Sequence, residues 1–326
     1  MPLLSGTDPS ALRAAAQELA RGGLVAFATE TVYGLGARAD DDAAVARIFA
    51  TKGRPAAHPL IVHVADTAAA EQFAGHLGEA ARRLMAAFWP GPLTLIVPRR
   101  EGMAAAAAGG QASIGLRMPA HPVAMALLRE AARLGVRGVA APSANRFGRV
   151  SPTTAQHVVD EFGPDLLVLD GGACSVGIES AIVDCTHREP ALLRPGQLRL
   201  ARLEQVAGQT LRAPDADSPR APGTLASHYA PDARVHLFDS ASLAARLSGP
   251  SPGVGQSVGV YSLLMPGAGR GWVWRQMPAE AEALARELFA VLRELDAAGV
   301  GAIWVEQPPP GPEWDGVRDR LQRAAA

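Results

Sequence analysis

Lysine is almost missing from this 326-residue chain: of 31 lysine and arginine residues, only Lys52 is a lysine. A chain that meets every other need for positive charge with a planar guanidinium marks the one place where it uses a compact ammonium. Cysteine is equally scarce. Cys174 and Cys185 stand alone, outside any Cys-x-x-Cys spacing, so neither a zinc site nor a disulfide framework is expected. Excess charge is missing too: the net charge is −1, which excludes a surface coated with basic patches for nucleic acid and makes any positive site a local one. No uncharged apolar run reaches the roughly 18 residues that span a bilayer. The start, Met1 to Asp8, lacks the basic segment and apolar core of a signal peptide. A cytoplasmic protein with no membrane partner is the expectation.

What is present is a globular composition, 48% hydrophobic and 19% charged, at a length that suits about two domains. Short apolar runs alternate with helical patterns from Leu24 to Leu200, which predicts an α/β unit. Asp8-Pro9 opens a helix to Arg21, and Leu24–Ala28 reads as a buried strand. It empties into Thr29-Glu30-Thr31-Val32-Tyr33-Gly34-Leu35-Gly36, a loop rich in hydroxyls and glycines. A helix over Asp41–Ala50 follows, then a loop with Lys52, Arg54 and His58 stiffened by Pro55 and Pro59, then a strand Leu60–Val64 carrying His63. Three cationic or titratable groups in one stiff loop read on their own either as an anion site or as a solvated basic loop, and the spacing is not that of a Walker A loop.

Further along, Ser113-Ile114-Gly115-Leu116-Arg117 alternates, so a hydroxyl, a gap and a guanidinium share one strand face. A short strand, Val139-Ala140-Ala141, delivers Pro142-Ser143-Ala144-Asn145 as a second wall, and Ser151 or Thr153 is expected to cap a helix reaching Phe162. Gly177 to Ser180 leads into a strand and offers backbone amides and a hydroxyl, and Ala191 to Arg194 ends a strand on an arginine. Residues 201–231 read as a linker able to fold back through Ser227-His228-Tyr229. Beyond it, strands at Val235–Phe238, Ser257–Tyr261 and Gly301–Val305 and helices at Ala279–Ala298 and Trp314–Arg323 predict a small α/β domain. Gly253-x-Gly255 is discounted as a dinucleotide fingerprint, because no strand leads into it.

Five of these segments in this order resemble the YrdC family: Thr29 to Gly36, Lys52-Gly53-Arg54-Pro55 with Pro59-Leu60, Ser113 to Arg117, Pro142 to Asn145, and Arg194-Pro195-Gly196. The linker with His228-Tyr229-Ala230-Pro231 and the extra domain resemble the long form of that family, the threonylcarbamoyl-AMP synthases. The resemblance implies a YrdC-like open twisted sheet with helices around a concave basic site (1–200), a linker folding over that site (201–231) and a smaller Rossmann-like α/β domain (232–326). It implies a nucleotidyltransferase that condenses L-threonine, bicarbonate and ATP to threonylcarbamoyl-AMP and pyrophosphate for tRNA modification. Thr31, His63, Arg117, Ser180 and the backbone at Ala141 would hold L-threonine. Lys52, Arg54, His58, Ser113, Ser143, Asn145, Ser151, Arg194 and Tyr229 would hold ATP, with Lys52 and Arg54 closest to the chemistry. Mg2+ would be bound mainly through the ATP phosphates, and the product would pass to tRNA threonylcarbamoyl-transfer enzymes. Direct contact with tRNA stays open.

Two positions depart from the family pattern. His58 replaces a more usual asparagine, and Pro222 to Ser227 lacks the lysines often found before the His-Tyr pair. The alternative is an RNA-binding or ribosome-maturation module using the same basic concavity, which the net charge of −1 disfavours. A carbamoyl-transfer domain would bring cysteine-rich zinc motifs that this chain lacks.

Overall fold

Successive residues of a strand turn to opposite faces, and in the computed structural model this alternation sorts the first apolar run between two cores. Ala26 and Ala28 join one buried cluster, while Val25 and Phe27 join another on the opposite side. The structure describes residues 3–249, 252–253, 257–264 and 271–326. The chain divides into two units, the first holding it up to Phe147 and again over Ser151–Thr224, the second holding Gly148–Val150 and Leu225–Ala326.

In the first unit the strands are β1 (Leu3–Ser5), β2 (Val25–Phe27), β3 (Gly34–Arg38), β4 (Ile61–His63), β5 (Leu93–Pro98), β6 (Ser113–Arg117), β7 (Val139–Ala140), β8 (Leu167–Asp170), β9 (Ala181–Asp184) and β10 (Ala191–Arg194). They form one mixed sheet in the order β1-β8-β2-β3-β7-β4-β6-β5-β9-β10. The helices are α1 (Pro9–Ala20), α2 (Asp42–Lys52), α3 (Thr67–Phe73), α4 (Glu79–Phe88), α5 (Pro122–Arg133), α6 (Ala155–Phe162) and α7 (Leu200–Ala207).

The helices do not cover the sheet evenly, and that unevenness positions the site. On one face a continuous core runs from Ala26 and Leu35 through Val62, Leu95 and Leu116 to Val183, packed by α2, α4 and α7 through residues such as Ile48, Leu84 and Leu203. On the other face α1 and α5 cover Val25, Phe27, Val139 and Leu169. Past them, only a small cluster of Ile61, Ile96, Ile182, Ala191 and Leu193 is buried, with Ala221 packed on it. His63, Thr94, Ser113, Gly115 and Arg117 share that thinly covered stretch of sheet by strand alternation.

In the second unit β11 (Arg234–Phe238), β12 (Val258–Ser262), β13 (Trp272–Gln276) and β14 (Ala302–Glu306) form a wholly parallel sheet in the order β11-β14-β12-β13. A parallel sheet needs cover on both faces. The helices α8 (Ser240–Leu247), α9 (Ala281–Ala297) and α10 (Asp315–Ala324) supply it, with Leu284, Leu288, Leu292 and Leu295 forming the buried stripe of α9.

The structure differs from the sequence expectations at several points. Lys52 is the last residue of α2 rather than part of the loop, because Gly53 at φ 62° supplies the left-handed cap one residue later. The cap of α6 is neither Ser151 nor Thr153 but Thr154, whose hydroxyl accepts the His157 N–H at 3.3 Å. Residues 201–207, expected as the head of a linker, belong to α7 (Leu200–Ala207), with Leu203 and Ala207 in the first unit's core. The strands β1, β3 and β13 and the helix α8 were not foreseen. Gly255 of the Gly253-x-Gly255 pair lies outside the described residues. No described helix is long and apolar enough to cross a membrane.

Candidate active site

The hydroxyl-rich loop after β2 folds on itself before it meets anything else. Thr29 Oγ1 donates to the Val32 carbonyl at 2.6 Å and accepts the N–H groups of Thr31 and Val32. Its proton thus committed, Thr29 takes the hydrogen bond of the Thr31 hydroxyl at 2.9 Å. Thr31 is left as an acceptor, and Arg117 Nη1 fills that role at 2.8 Å. Arg117 Nε donates to the Gly91 carbonyl at 3.2 Å and Nη2 to Glu30 Oε1 at 2.6 Å. The guanidinium is thereby fixed on three sides while 4% exposed. Glu30 is buried beside it, and its Oε2 accepts no hydrogen bond among the described residues.

His63 sits opposite Arg117 in the parallel register of β4 and β6. Its imidazole is buried, edge-on to Phe27, and Nδ1 has no hydrogen-bond partner among the described residues. Burial, reinforced by the Arg117 charge, pulls its pKa down to about 3. His63 is therefore a neutral ring at any physiological pH. Ala141, just past β7, is held by its N–H to the Ile61 carbonyl at 2.9 Å.

Ser180 lies at the entrance to β9, fully buried, sharing a hydrogen bond of 2.8 Å with the Thr94 hydroxyl. Arg194, at the end of β10, forks around it. Its Nε and Nη2 donate to the Ser180 carbonyl at 3.1 and 2.9 Å, and Nη1 donates to the Pro222 carbonyl at 2.8 Å. Pro222 lines a narrow cleft together with Thr94, Gln111, Ser113, Gly115 and Arg220. A Cβ on Gly115 would make only ordinary contacts there, at 3.5 Å from Thr94 and 3.6 Å from Ile61, so the glycine leaves space that packing does not require.

Lys52 is 3% exposed and donates to the carbonyls of Ser143 and Asn145, in the wall after β7. Burial lowers its pKa well below the ordinary value, and the nearby Arg54 charge lowers it further. Arg54 donates to the Pro59 carbonyl at 2.9 Å and lies over the Phe147 ring, which His58 meets edge-on. Burial, then Arg54 and Arg220, also lower the pKa of His58. Ser151 does not cap a helix but donates to Glu179 Oε1 at 2.5 Å, one residue before Ser180.

The first unit thus brings Thr31 to Arg117, Ser180 to Arg194, and Lys52 to Ser143 and Asn145. His63 stands beside Arg117 in the sheet, and Ser113 and Ala141 flank these groups on neighbouring strands. Tyr229 belongs to the second unit, where its ring packs against His228 and Phe289 and beneath the Arg320 guanidinium. Glu30, Thr94 and Gly91 take part without having been singled out in the sequence. For Glu30 the signal was a carboxylate placed between two threonines of the motif. Among the described residues no group of three His, Cys, Asp or Glu side chains is placed to hold a metal ion.

Residues 17–196 match the family model for Sua5, YciO and YrdC described as "Telomere recombination", and residues 198–326 match "Threonylcarbamoyl-AMP synthase, C-terminal domain". The threonylcarbamoyl-AMP synthase of Pyrococcus abyssi is 40% identical over 329 residues, spanning 96% of this chain and 94% of its own length. That of Bacillus subtilis is 36% identical over 340 residues, spanning 99% and 94%. Among solved structures, Pyrococcus abyssi Sua5 complexed with L-threonine aligns with a TM-score of 0.85 at 38% identity, covering 96% of this chain and 94% of that one.

Proposed function

The chain belongs to the Sua5/YciO/YrdC family, extended by the C-terminal domain of threonylcarbamoyl-AMP synthases, and from that premise we propose how its residues carry the reaction. It is an L-threonylcarbamoyladenylate synthase, a transferase that joins L-threonine, bicarbonate and ATP into threonylcarbamoyl-AMP and pyrophosphate for the N6-threonylcarbamoyladenosine modification of tRNA. The observation that carries the residue assignment is the burial of four cations in one unit of a chain with net charge −1. Lys52, Arg54, Arg117 and Arg194 are 3%, 8%, 4% and 2% exposed. Cations taken out of water are costly unless anions meet them, and the triphosphate and carboxylate of the substrates are such anions.

Arg117 receives the threonine carboxylate, helped by Thr31, with Ser180 and the backbone at Ala141 closing the subsite. His63 meets the substrate as a neutral ring. That neutrality has chemical value, because a carbamate loses carbon dioxide when protonated and a cationic imidazole would be an acid beside it. The carbamate oxygen of N-carboxy-threonine attacks the α-phosphorus of ATP while pyrophosphate leaves. Charge gathers on phosphate oxygens, so the protein positions and neutralises rather than supplying a nucleophile. Lys52, Arg54 and Arg194 do this, with His58, Ser113, Ser143, Asn145 and Ser151 as further ATP contacts. The donor set is cations and hydroxyls, which suits phosphate oxygens. Mg2+ would come with ATP, bound mainly through the phosphate oxygens, and would neutralise part of their charge. The unstable adenylate passes to enzymes that transfer threonylcarbamoyl to tRNA.

Pyrophosphate release from MgATP, with L-threonine and bicarbonate left out in turn, tests the reading. Release that needs both supports it. Release that needs neither makes the chain an ATPase and overturns it.

A further inference from the structure

Glu30 carries the least satisfied carboxylate in the site. It is 6% exposed, its Oε1 accepts from Arg117 Nη2 at 2.6 Å, and its Oε2 is buried without a hydrogen bond among the described residues. A carboxylate oxygen removed from water without a donor is costly, and native structures leave few of them unexplained. A donor that arrives with the substrate explains this one. His121, whose imidazole also feels the Glu30 charge, is committed elsewhere: its Nδ1 accepts the Val123 N–H at 3.2 Å at the head of α5.

Arg117 narrows the identity of that donor. A guanidinium has five N–H groups, and Arg117 spends one each on Gly91, Thr31 and Glu30. The two that remain suit one carboxylate. Arg117 and Glu30 therefore present a positive and a negative group side by side in a buried place. An α-amino acid carries the opposite pair, carboxylate and ammonium, on a single carbon. Docking one against the other keeps the buried charge balanced and gives Glu30 Oε2 its missing donor.

We propose that Glu30 is the carboxylate that receives the α-ammonium of L-threonine, through Oε2, and so selects α-amino acids over hydroxy acids of the same shape. The inference rests on the synthase reading and adds to it a residue that the family motifs did not assign.

The test is calorimetric binding of L-threonine and of (R)-3-hydroxybutyrate, which keeps the hydroxyl and carboxylate and lacks the amine. The wild-type chain is expected to prefer threonine by about tenfold or more, the worth of one hydrogen bond to a charged group. In Glu30→Gln the threonine affinity falls by that factor, while the affinities for (R)-3-hydroxybutyrate and MgATP stay where they were. If Glu30→Gln does not fold, Glu30→Asp, which keeps the charge but withdraws it by one methylene, is expected to show the same selective loss. A variant that binds threonine within about twofold of wild type, or that loses all three ligands together, overturns the assignment. A wild-type chain that binds MgATP but no threonine overturns the synthase reading itself, and the assignment with it.

Discussion

The side-chain nitrogen of Lys52 lies 2.6 Å from the carbonyl oxygen of Ser143, across 91 residues of sequence. With the Asn145 carbonyl as its second acceptor, the only lysine of the chain ties the end of α2 to the wall after β7. Both acceptors are neutral carbonyls, so neither brings a charge to Lys52, and an anionic phosphate would.

Replacing Lys52 by Met separates catalysis from folding. Turnover is expected to fall by about 10² or more, the scale for removing one group that stabilises transition-state charge. Stability behaves differently. The folded pKa is lowered, so between that value and the ordinary 10.5 the unfolded chain binds the extra proton. Wild-type stability therefore gains up to about 1.4 kcal/mol per pH unit from Lys52 as pH rises through that window. Urea unfolding of both proteins from pH 7 to pH 10 should show Lys52→Met lacking this rise. Parallel curves would mean that burial does not lower the Lys52 pKa in the folded chain.

His63 gives the matching prediction on the acid side. Its folded pKa near 3 lies below the ordinary 6.5, so the unfolded chain takes up the proton first as pH falls. Stability attributable to His63 is intact above 6.5 and is lost by up to about 1.4 kcal/mol per unit below it. His63→Leu should remove that slope between pH 6.5 and 5. An activity profile with a limb assigned to His63 above pH 6 would contradict its neutrality.

Those side chains were legible to different degrees in the sequence, and the differences have physical causes. The alternation of Ser113, Gly115 and Arg117 was readable because a strand has a strict period of two, and β6 keeps it. The strand β3 was hidden because Gly34 and Gly36 read as turn residues. In the structure a Cβ on Gly36 would come within 2.7 Å of Val139 and 2.8 Å of Phe27, so the glycine serves close packing rather than a turn. Ser151 and Thr153 looked like caps because any hydroxyl before a helix does. Thr154 is one step nearer, and Ser151 is taken by Glu179. Glu30 escaped notice because its importance lies in a partner 87 residues away, which no local pattern announces.

Arg194→Lys tests the fork around Ser180. An ammonium cannot donate from two fixed positions to the Ser180 carbonyl and also reach Pro222. If Arg194 holds ATP and Ser180 threonine, as proposed, kcat/KM should fall for both substrates by about tenfold. A loss confined to ATP would mean that Arg194 does not position Ser180.

The family resemblance implies an ATP contact for Tyr229, which is 1% exposed, with its ring packed on His228 and Phe289 of the second unit. Removing it with Tyr229→Ala is expected to cost that unit about 3 kcal/mol or more, whereas Tyr229→Phe keeps the packing. Trp272, Trp274, Trp304 and Trp314 all lie in this unit, so fluorescence-monitored urea unfolding reports on it. An Ala variant as stable as wild type would show that the ring is not part of the unit's core.

The central claim is that carbon from bicarbonate, the threonine amine and the adenylate of ATP end in one molecule. Incubating the chain with MgATP, L-threonine and 13C-bicarbonate and analysing the products by mass spectrometry tests it directly. The account predicts a threonylcarbamoyl-adenylate heavier by one mass unit than the product made with unlabelled bicarbonate. Hydrolysis of ATP with no adenylate containing both threonine and the label would contradict it.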